Sequence, residues 1–579
     1  MRRQLHLIII VSVTLISAFG FSQERDNDTI NTEVIQVVKP YAPTISDAFK
    51  VKEIPSLDDE TTLTKKEVKY NIFSFPVAST FTPAKGRAAV VDKEDPIKLF
   101  DNYATLGAGS YTTILGEVYL NHAFNRNESV GGYVSHHSSQ GGIDGVLLDD
   151  GFSDSKINVN YSRSEDDLAW DVEAGFLHQF YNWYGLPQPT FDQEGADFIG
   201  NVGHTFYGVH LGGDIAFEDT YINSGSLFFR HFGDNNGSGE NRFKAKLAFD
   251  IPVNDQNVVT SVKLDYLGGS FDGDGLVTSD LEYGNFNIGI SPTYRLIQDD
   301  LTVDLGVSLF YLNDTEFGDN KFFIYPNITA SYRLVNEILI AFGGIQGDLI
   351  QNSYYDVVQD NPFVTPNLFL TPTDQQYNIF VGLKGKLTSN MSYNLKGKYI
   401  AESDKALFKN QYLDTDVASN ETYIFGNSFG LVYDDVSTFG ISGEINADIN
   451  RNFTLVLKAE YFAYNVDEQA EAWNLPDFIG SLFLDYQITK QWFAGANLFY
   501  VGERKDQFFR PSLIAPAPPR TVNLDSYFDA NAHAGYHIND RFSVFAKVNN
   551  IANQDYQRWQ NYTVQAFQLL AGATYKFDF

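Results

Sequence analysis

From about Asn102 to Phe579 the chain alternates, one residue apolar and the next polar or small, in segments of roughly 10 to 15 residues. Leu301, Val303, Leu305, Val307, Leu309 and Tyr311 share one face, and Thr302, Asp304, Gly306, Ser308 and Phe310 the other. Phe453, Leu455, Leu457, Ala459, Tyr461 and Ala463 repeat the pattern against Thr454, Val456, Lys458, Glu460 and Phe462. Side chains of a strand point to opposite faces in turn, so each segment reads as a strand with one greasy face and one mostly wet face. Helical periodicity is nearly absent. A soluble β-sandwich has the same period, so alternation establishes strands without naming their solvent.

The connections decide between the two. Every second one is tight and polar: His537-Ile-Asn-Asp-Arg541, Ile488-Thr-Lys-Gln491, Asp448-Ile-Asn-Arg-Asn452, Leu387-Thr-Ser-Asn-Met391, Arg333-Leu-Val-Asn-Glu337 and Ile297-Gln-Asp-Asp-Leu301. The series continues through 252–256, 218–221, 163–168 and 125–128. The connections between them are longer, including 183–204, 350–376, 404–434 and 505–525. Short turns on one rim and long loops on the other are the asymmetry of an outer-membrane barrel. The expectation is an all-β, transmembrane, antiparallel up-and-down β-barrel over residues 101–579, with about 22 strands and both termini at the periplasmic rim. Tyr423–Tyr433 is placed inside a loop. Turns centred in this way, with Asn390 as a pivot, set Lys384 opposite Lys396.

Residues 1–22 carry a basic start at Arg2 and Arg3, an apolar run from Leu7 to Phe19 and small residues at Gly20 and Ser22, which reads as a secretory signal peptide. After it there is no apolar run of about 18 residues, so a helical span is not expected. A closed barrel is then the route by which an exported chain pairs all its backbone groups within lipid. Its formal net charge of −32 argues against nucleic acid as a partner. With no cysteine there is no disulfide framework, thiolate metal site, cysteine nucleophile or lipid-bearing cysteine.

Aromatic residues gather near strand ends, as in Phe180-Tyr-Asn-Trp-Tyr184 and Trp492-Phe493, where an interfacial girdle belongs. The last strand places Phe567, Leu569, Ala571, Ala573, Tyr575, Phe577 and Phe579 on one face. Together with Tyr527-Phe-Asp529, Val548-Asn-Asn-Ile-Ala-Asn-Gln-Asp-Tyr556 and Gly572-Ala-Thr-Tyr-Lys-Phe577, this resembles the end of a TonB-dependent receptor barrel. The resemblance implies a receptor in the outer membrane of a Gram-negative bacterium of the Bacteroidota type. It also implies that Tyr575, Phe577 and Phe579 form the signal read by the barrel-assembly machinery. Residues 23–100 are too few for the family's plug domain and contain no plug motif, so they are expected to be a periplasmic or lumenal segment. Within them, Glu33-Val34-Ile35-Gln36-Val37-Val38 is similar to the stretch with which such receptors engage TonB or another periplasmic partner.

No set of acid, base and nucleophile stands out, so no enzyme, cofactor or metal is expected. Asp272, Asp274, Asp280 and Glu282 lack the spacing of a twelve-residue calcium loop, and the sequential His136 and His137 point to opposite faces. The scarce positive charge is more informative. Arg242, Lys244 and Lys246 share a strand face, as do Lys384 with Lys386 and Lys396 with Lys398. If the apolar faces meet lipid, these seven form a lumenal basic patch for an anionic solute or an acidic segment such as Asp58-Asp-Glu60. The expected function is an outer-membrane receptor or channel whose loop 350–376, with Tyr354, Tyr355, Phe363 and Phe369, is an outer binding surface. The alternative is a non-transporting barrel subunit of an assembly or secretion complex. Lipid and other outer-membrane or periplasmic proteins are the expected partners.

Overall fold

The computed structural model describes residues 98–187, 191–218, 220–253, 256–272, 280–411, 421–508 and 519–579. Alternation becomes architecture directly: 22 strands form one antiparallel sheet that closes on itself. The first strand, Asn102–Gly109, pairs with the last, Gln568–Phe577, in a register running from Asn102 opposite Phe577 to Gly109 opposite Leu570. Closure leaves no unpaired edge, the condition for crossing lipid with strands. Among the described residues no helix is long and apolar enough to cross a membrane.

The two wall faces differ as the period requires. On Leu301–Asp314, Leu305 and Leu309 are more than 40% exposed, whereas Ser308 and Phe310 are buried. The exposed face continues through Val381, Leu395, Ile441 and Leu569, giving an outward apolar belt suited to a bilayer and placing the barrel in the outer membrane. All ten expected tight turns are strand reversals on one rim. Three are held by an Asn side chain accepting a backbone N–H two residues on: Asn125 from Asn127 at 2.8 Å, Asn450 from Asn452 at 2.8 Å and Asn539 from Arg541 at 2.9 Å.

The long connections carry more structure than the sequence shows. Strand pairing continues through much of 404–434: Met391–Gln411 pairs with Ser428–Asn450 up to Gln411 opposite Ser428. Tyr423–Tyr433 is therefore part loop and part strand. It adds no separate strand, because Ser428–Tyr433 is the outer end of a 23-residue one. At about 3.4 Å per residue that strand runs about 75 Å, well beyond an apolar band of about 25 Å. In 505–525 a small ribbon pairs Arg504–Phe508 with Arg520–Leu524. Two short helices lie in loops, α1 (Gln193–Ile199), capped by Asp192, and α2 (Tyr354–Asp360), capped by Ser353.

Inside, aromatic rings pack against cross-strand glycines. Phe342 faces Gly382 and Phe380 faces Gly344, and the same pairing joins Phe310 with Gly289, Phe493 with Gly535 and Phe545 with Gly572. A Cβ on Gly382 would stand 2.4 Å from the Phe342 ring and 2.5 Å from a backbone oxygen. The glycines are thus slots for rings, which cover the backbone where a strand glycine leaves it bare.

Candidate functional site

The connection from Leu339–Ile350 to Thr373–Thr388 folds inward as a strap. Its α2 starts where Ser353 accepts the Asp356 N–H at 3.1 Å, and the Ser353 hydroxyl donates to the Asp356 carboxylate at 2.5 Å. Ser353-x-x-Asp356 before Val357-Val358 is a helix-start pattern that could have located α2 from sequence. Tyr354, Val357 and Val358 are buried against Phe206, Phe232, Leu267, Phe271 and Tyr283 of the barrel wall. The apolar strap residues anchor it, and polar contacts orient it.

Those polar contacts converge on one wall segment. The Tyr354 hydroxyl donates to Asp234 at 2.6 Å, and its backbone N–H donates to Glu240 at 2.5 Å. Glu240 also accepts the Tyr283 hydroxyl at 2.9 Å, and Asp234 pairs with His204 at 3.0 Å. Burial, with Asp234 beside it, pushes the Tyr354 phenol well above its usual range, so it stays a donor. Arg230 lies over the Tyr355 ring, 3.7 Å from its centre, and donates to Ser353 at 3.1 Å. Arg242 is held by Asp265 through two bonds of 3.0 and 2.8 Å. Asp356 reaches Arg242 at 3.0 Å and Arg230 at 3.9 Å.

At its far end the strap meets other loops. Thr365 N–H donates to the Phe429 carbonyl at 2.9 Å, and Phe429 N–H to the Phe363 carbonyl at 3.0 Å. Phe363 stacks on Tyr562 with ring centres 3.8 Å apart, and Tyr184 closes the same cluster. A second apolar cluster joins α1 to Trp183, Leu186, Tyr423 and Ile424. Loops from four places on the rim thus pack on one another, with the strap running from the Arg230 wall to Phe429 and Tyr562. This overturns the expected outward display of the strap aromatics: Tyr354 is fully buried, Phe363 packs inward and Phe369 alone of the four is exposed. Their ring area is used to pack the loops.

The structure divides the expected basic patch. Arg242, Lys244 and Lys246 lie on Gly239–Val253, with five strands between it and Thr373–Thr388, which carries Lys384 and Lys386. Lys396 and Lys398 follow on Met391–Gln411. Lys384 does not face Lys396. The turn is centred one residue earlier than expected, moving each partner by two, so Lys384 faces Asn394 and Lys396 faces Gly382. The ammonium groups instead lie over rings, Lys384 over Phe342, Lys396 over Phe380 and Lys398 over Phe462, at 5.3, 4.8 and 5.2 Å from the ring centres. Lys386 pairs with Glu337 at 3.1 Å, and Lys244 lies 5.9 Å from the Phe228 ring centre. Arg230, Glu240, Asp265 and Asp356, the partners of Arg242 or its neighbours, were missed because no local spacing links them.

Tyr575 and Phe577 lie on the closing strand with stacked rings, and Phe577 meets Phe579 edge-on. Glu33–Val38, Asp58–Glu60 and Asp274 fall outside the described residues. Among the described residues no group of three acidic, His or Cys side chains is arranged to hold a metal ion.

No protein-family model and no curated protein matches the sequence. Solved structures match in fold. The ferripyoverdine receptor of the outer membrane of Pseudomonas aeruginosa, bound to ferripyoverdine, superposes with a TM-score of 0.60 at 14% identity, covering 84% of this chain and 73% of that one. The siderophore receptor PirA of Acinetobacter baumannii gives 0.59 at 13%, covering 83% and 81%. The ferric-catecholate import receptor Fiu of Escherichia coli K12 gives 0.57 at 10%, covering 82% of each chain. The similarity is one of barrel architecture.

Proposed function

We propose that this outer-membrane barrel is a receptor-like uptake protein, which takes a solute at its loop-covered mouth and admits it to the lumen. The observation that carries the reading is the strap: a loop packed into the mouth and oriented by ion pairs that can be exchanged. The neighbours in fold, named as siderophore and import receptors, support the same reading. It requires no catalytic group. In this scheme residues 23–100 are a periplasmic or lumenal segment standing where a plug would, Glu33–Val38 offers the contact for TonB or another periplasmic partner, and Tyr575, Phe577 and Phe579 present the last strand to the assembly machinery.

The test is conductance in planar bilayers with the full mature chain and with a chain lacking residues 23–100. The full chain should conduct weakly and the shortened one strongly. A barrel silent in both forms, purified in fixed ratio with other outer-membrane proteins, would rule out uptake.

A further inference from the structure

Arg230 and Arg242 occupy directly opposed positions on neighbouring strands, and one register step of four residues along, Lys246 faces Lys263 in the same way. Like charges directly opposed across a ladder are unfavourable. Around the guanidinium pair three cations, Arg230, Arg242 and Lys244, meet two carboxylates fixed on strands, Glu240 and Asp265, while Asp250 and Asp214 lie further along, beside Lys246. The excess is positive before the strap is counted. Asp234 is turned to His204 and Tyr354 instead. Asp356 on the strap is the carboxylate that reaches both, setting one oxygen toward each guanidinium. Its side chain is 51% exposed while those of Arg230 and Arg242 are 10% and 7% exposed. The cations are built into the wall, and their shared counter-ion sits on a loop at the solvent side.

We propose that Arg230 and Arg242 form an anion-binding station in which Asp356 stands in for the ligand. A solute bearing a carboxylate or phosphate displaces Asp356, so that binding and release of the strap are one event. Planar two-oxygen acceptors suit a pair of guanidinium forks. Lys244, Lys246 and Lys263 continue the row of cations toward the turn rim, where Lys263 pairs with Asp348 at 3.5 Å and Lys246 is exposed, with Asp214 and Asp250 on the neighbouring inward positions. The proposal deepens the uptake reading above and rests on it for the direction of travel.

The test uses the purified full chain in detergent, titrated calorimetrically with inorganic phosphate and, in parallel, with acetate. Asp356→Asn should bind phosphate at least tenfold more tightly than wild type, because the internal competitor is gone. Lys246→Gln, which touches no strap residue, should shift the bilayer reversal potential in a KCl gradient toward cation selectivity. Acetate binding that matches or exceeds phosphate identifies the carboxylate as the preferred group, and the reverse identifies phosphate. Equal phosphate affinity in wild type and Asp356→Asn, both showing heat-modifiable migration, overturns the station. An unchanged reversal potential in Lys246→Gln overturns the row's role in selectivity. The binding difference obtained with bilayers silent in every variant supports the station and rejects uptake instead.

Discussion

Single residues of the inner wall work by shape. Phe342 lies over Gly382 with Lys384 above the same ring, so a methyl group at 382 must displace both ring and ammonium. Gly382→Ala should destabilise the barrel by about 1–3 kcal/mol, as overpacking does, read as a lower temperature for the shift from folded to unfolded migration in gels. Tyr354 works by a single hydroxyl. Tyr354→Phe keeps the ring in its apolar site but takes a 2.6 Å donor from buried Asp234. The strap should loosen by about 1.5–3 kcal/mol, the range for a hydrogen bond to a charged group, measured as faster amide exchange in 354–360 with the rest of the barrel unchanged. Neither role is written in a motif. The glycine and its ring are far apart in sequence, and only register brings them together.

At the scale of elements, the strap carries a titrating group of its own. Asp360 ends α2, and burial first, then the neighbouring Asp356 carboxylate, raises its pKa to about 7. A carboxyl group with a raised folded pKa holds its proton in the closed strap but loses it near pH 4 once released. The closed form therefore gains stability below about pH 4, loses that gain as pH rises from there to about 7, and stays at its weakest above. Amide exchange across 354–360, corrected for intrinsic rates, should be slower at pH 5.5 than at pH 8, and Asp360→Asn should remove the difference and hold the strap closed. The strands themselves were legible in the sequence because a period of two leaves a continuous trace in Leu301–Tyr311 or Phe453–Ala463. Helix α2 leaves only its Ser353-x-x-Asp356 start pattern, since a seven-residue helix has too few turns to show a face, and its partners Arg230, Glu240 and Arg242 arrive from strands more than a hundred residues earlier. The Lys384 register failed for a smaller reason, a turn one residue off centre.

For the whole molecule, wall and closure are separable. The wall is a backbone ladder that returns to its own start, whereas the closure is side-chain packing among loops. Replacing residues 353–370 by a short Gly-Ser linker should leave heat-modifiable migration in place and raise single-channel conductance severalfold. Unfolding of the barrel instead would show that the strap is a structural brace. The alternating pattern could announce the wall but not the closure, because loops that pack inward carry the same mixture of aromatic and polar residues as loops that face outward. Finally, the wall is lopsided. It begins with a strand of 8 residues, just under the roughly 9–11 that span a bilayer, and includes one of 23. The joint where the chain's two ends meet is among the shallow ones, eight paired positions against nineteen between the two longest strands, and the small outward residues Ala108, Ala571 and Ala573 flank Leu106 in it. A cylinder built this way is held unevenly around its girth: tension shared equally by its joints falls on fewer backbone bonds at the seam than between its longest strands.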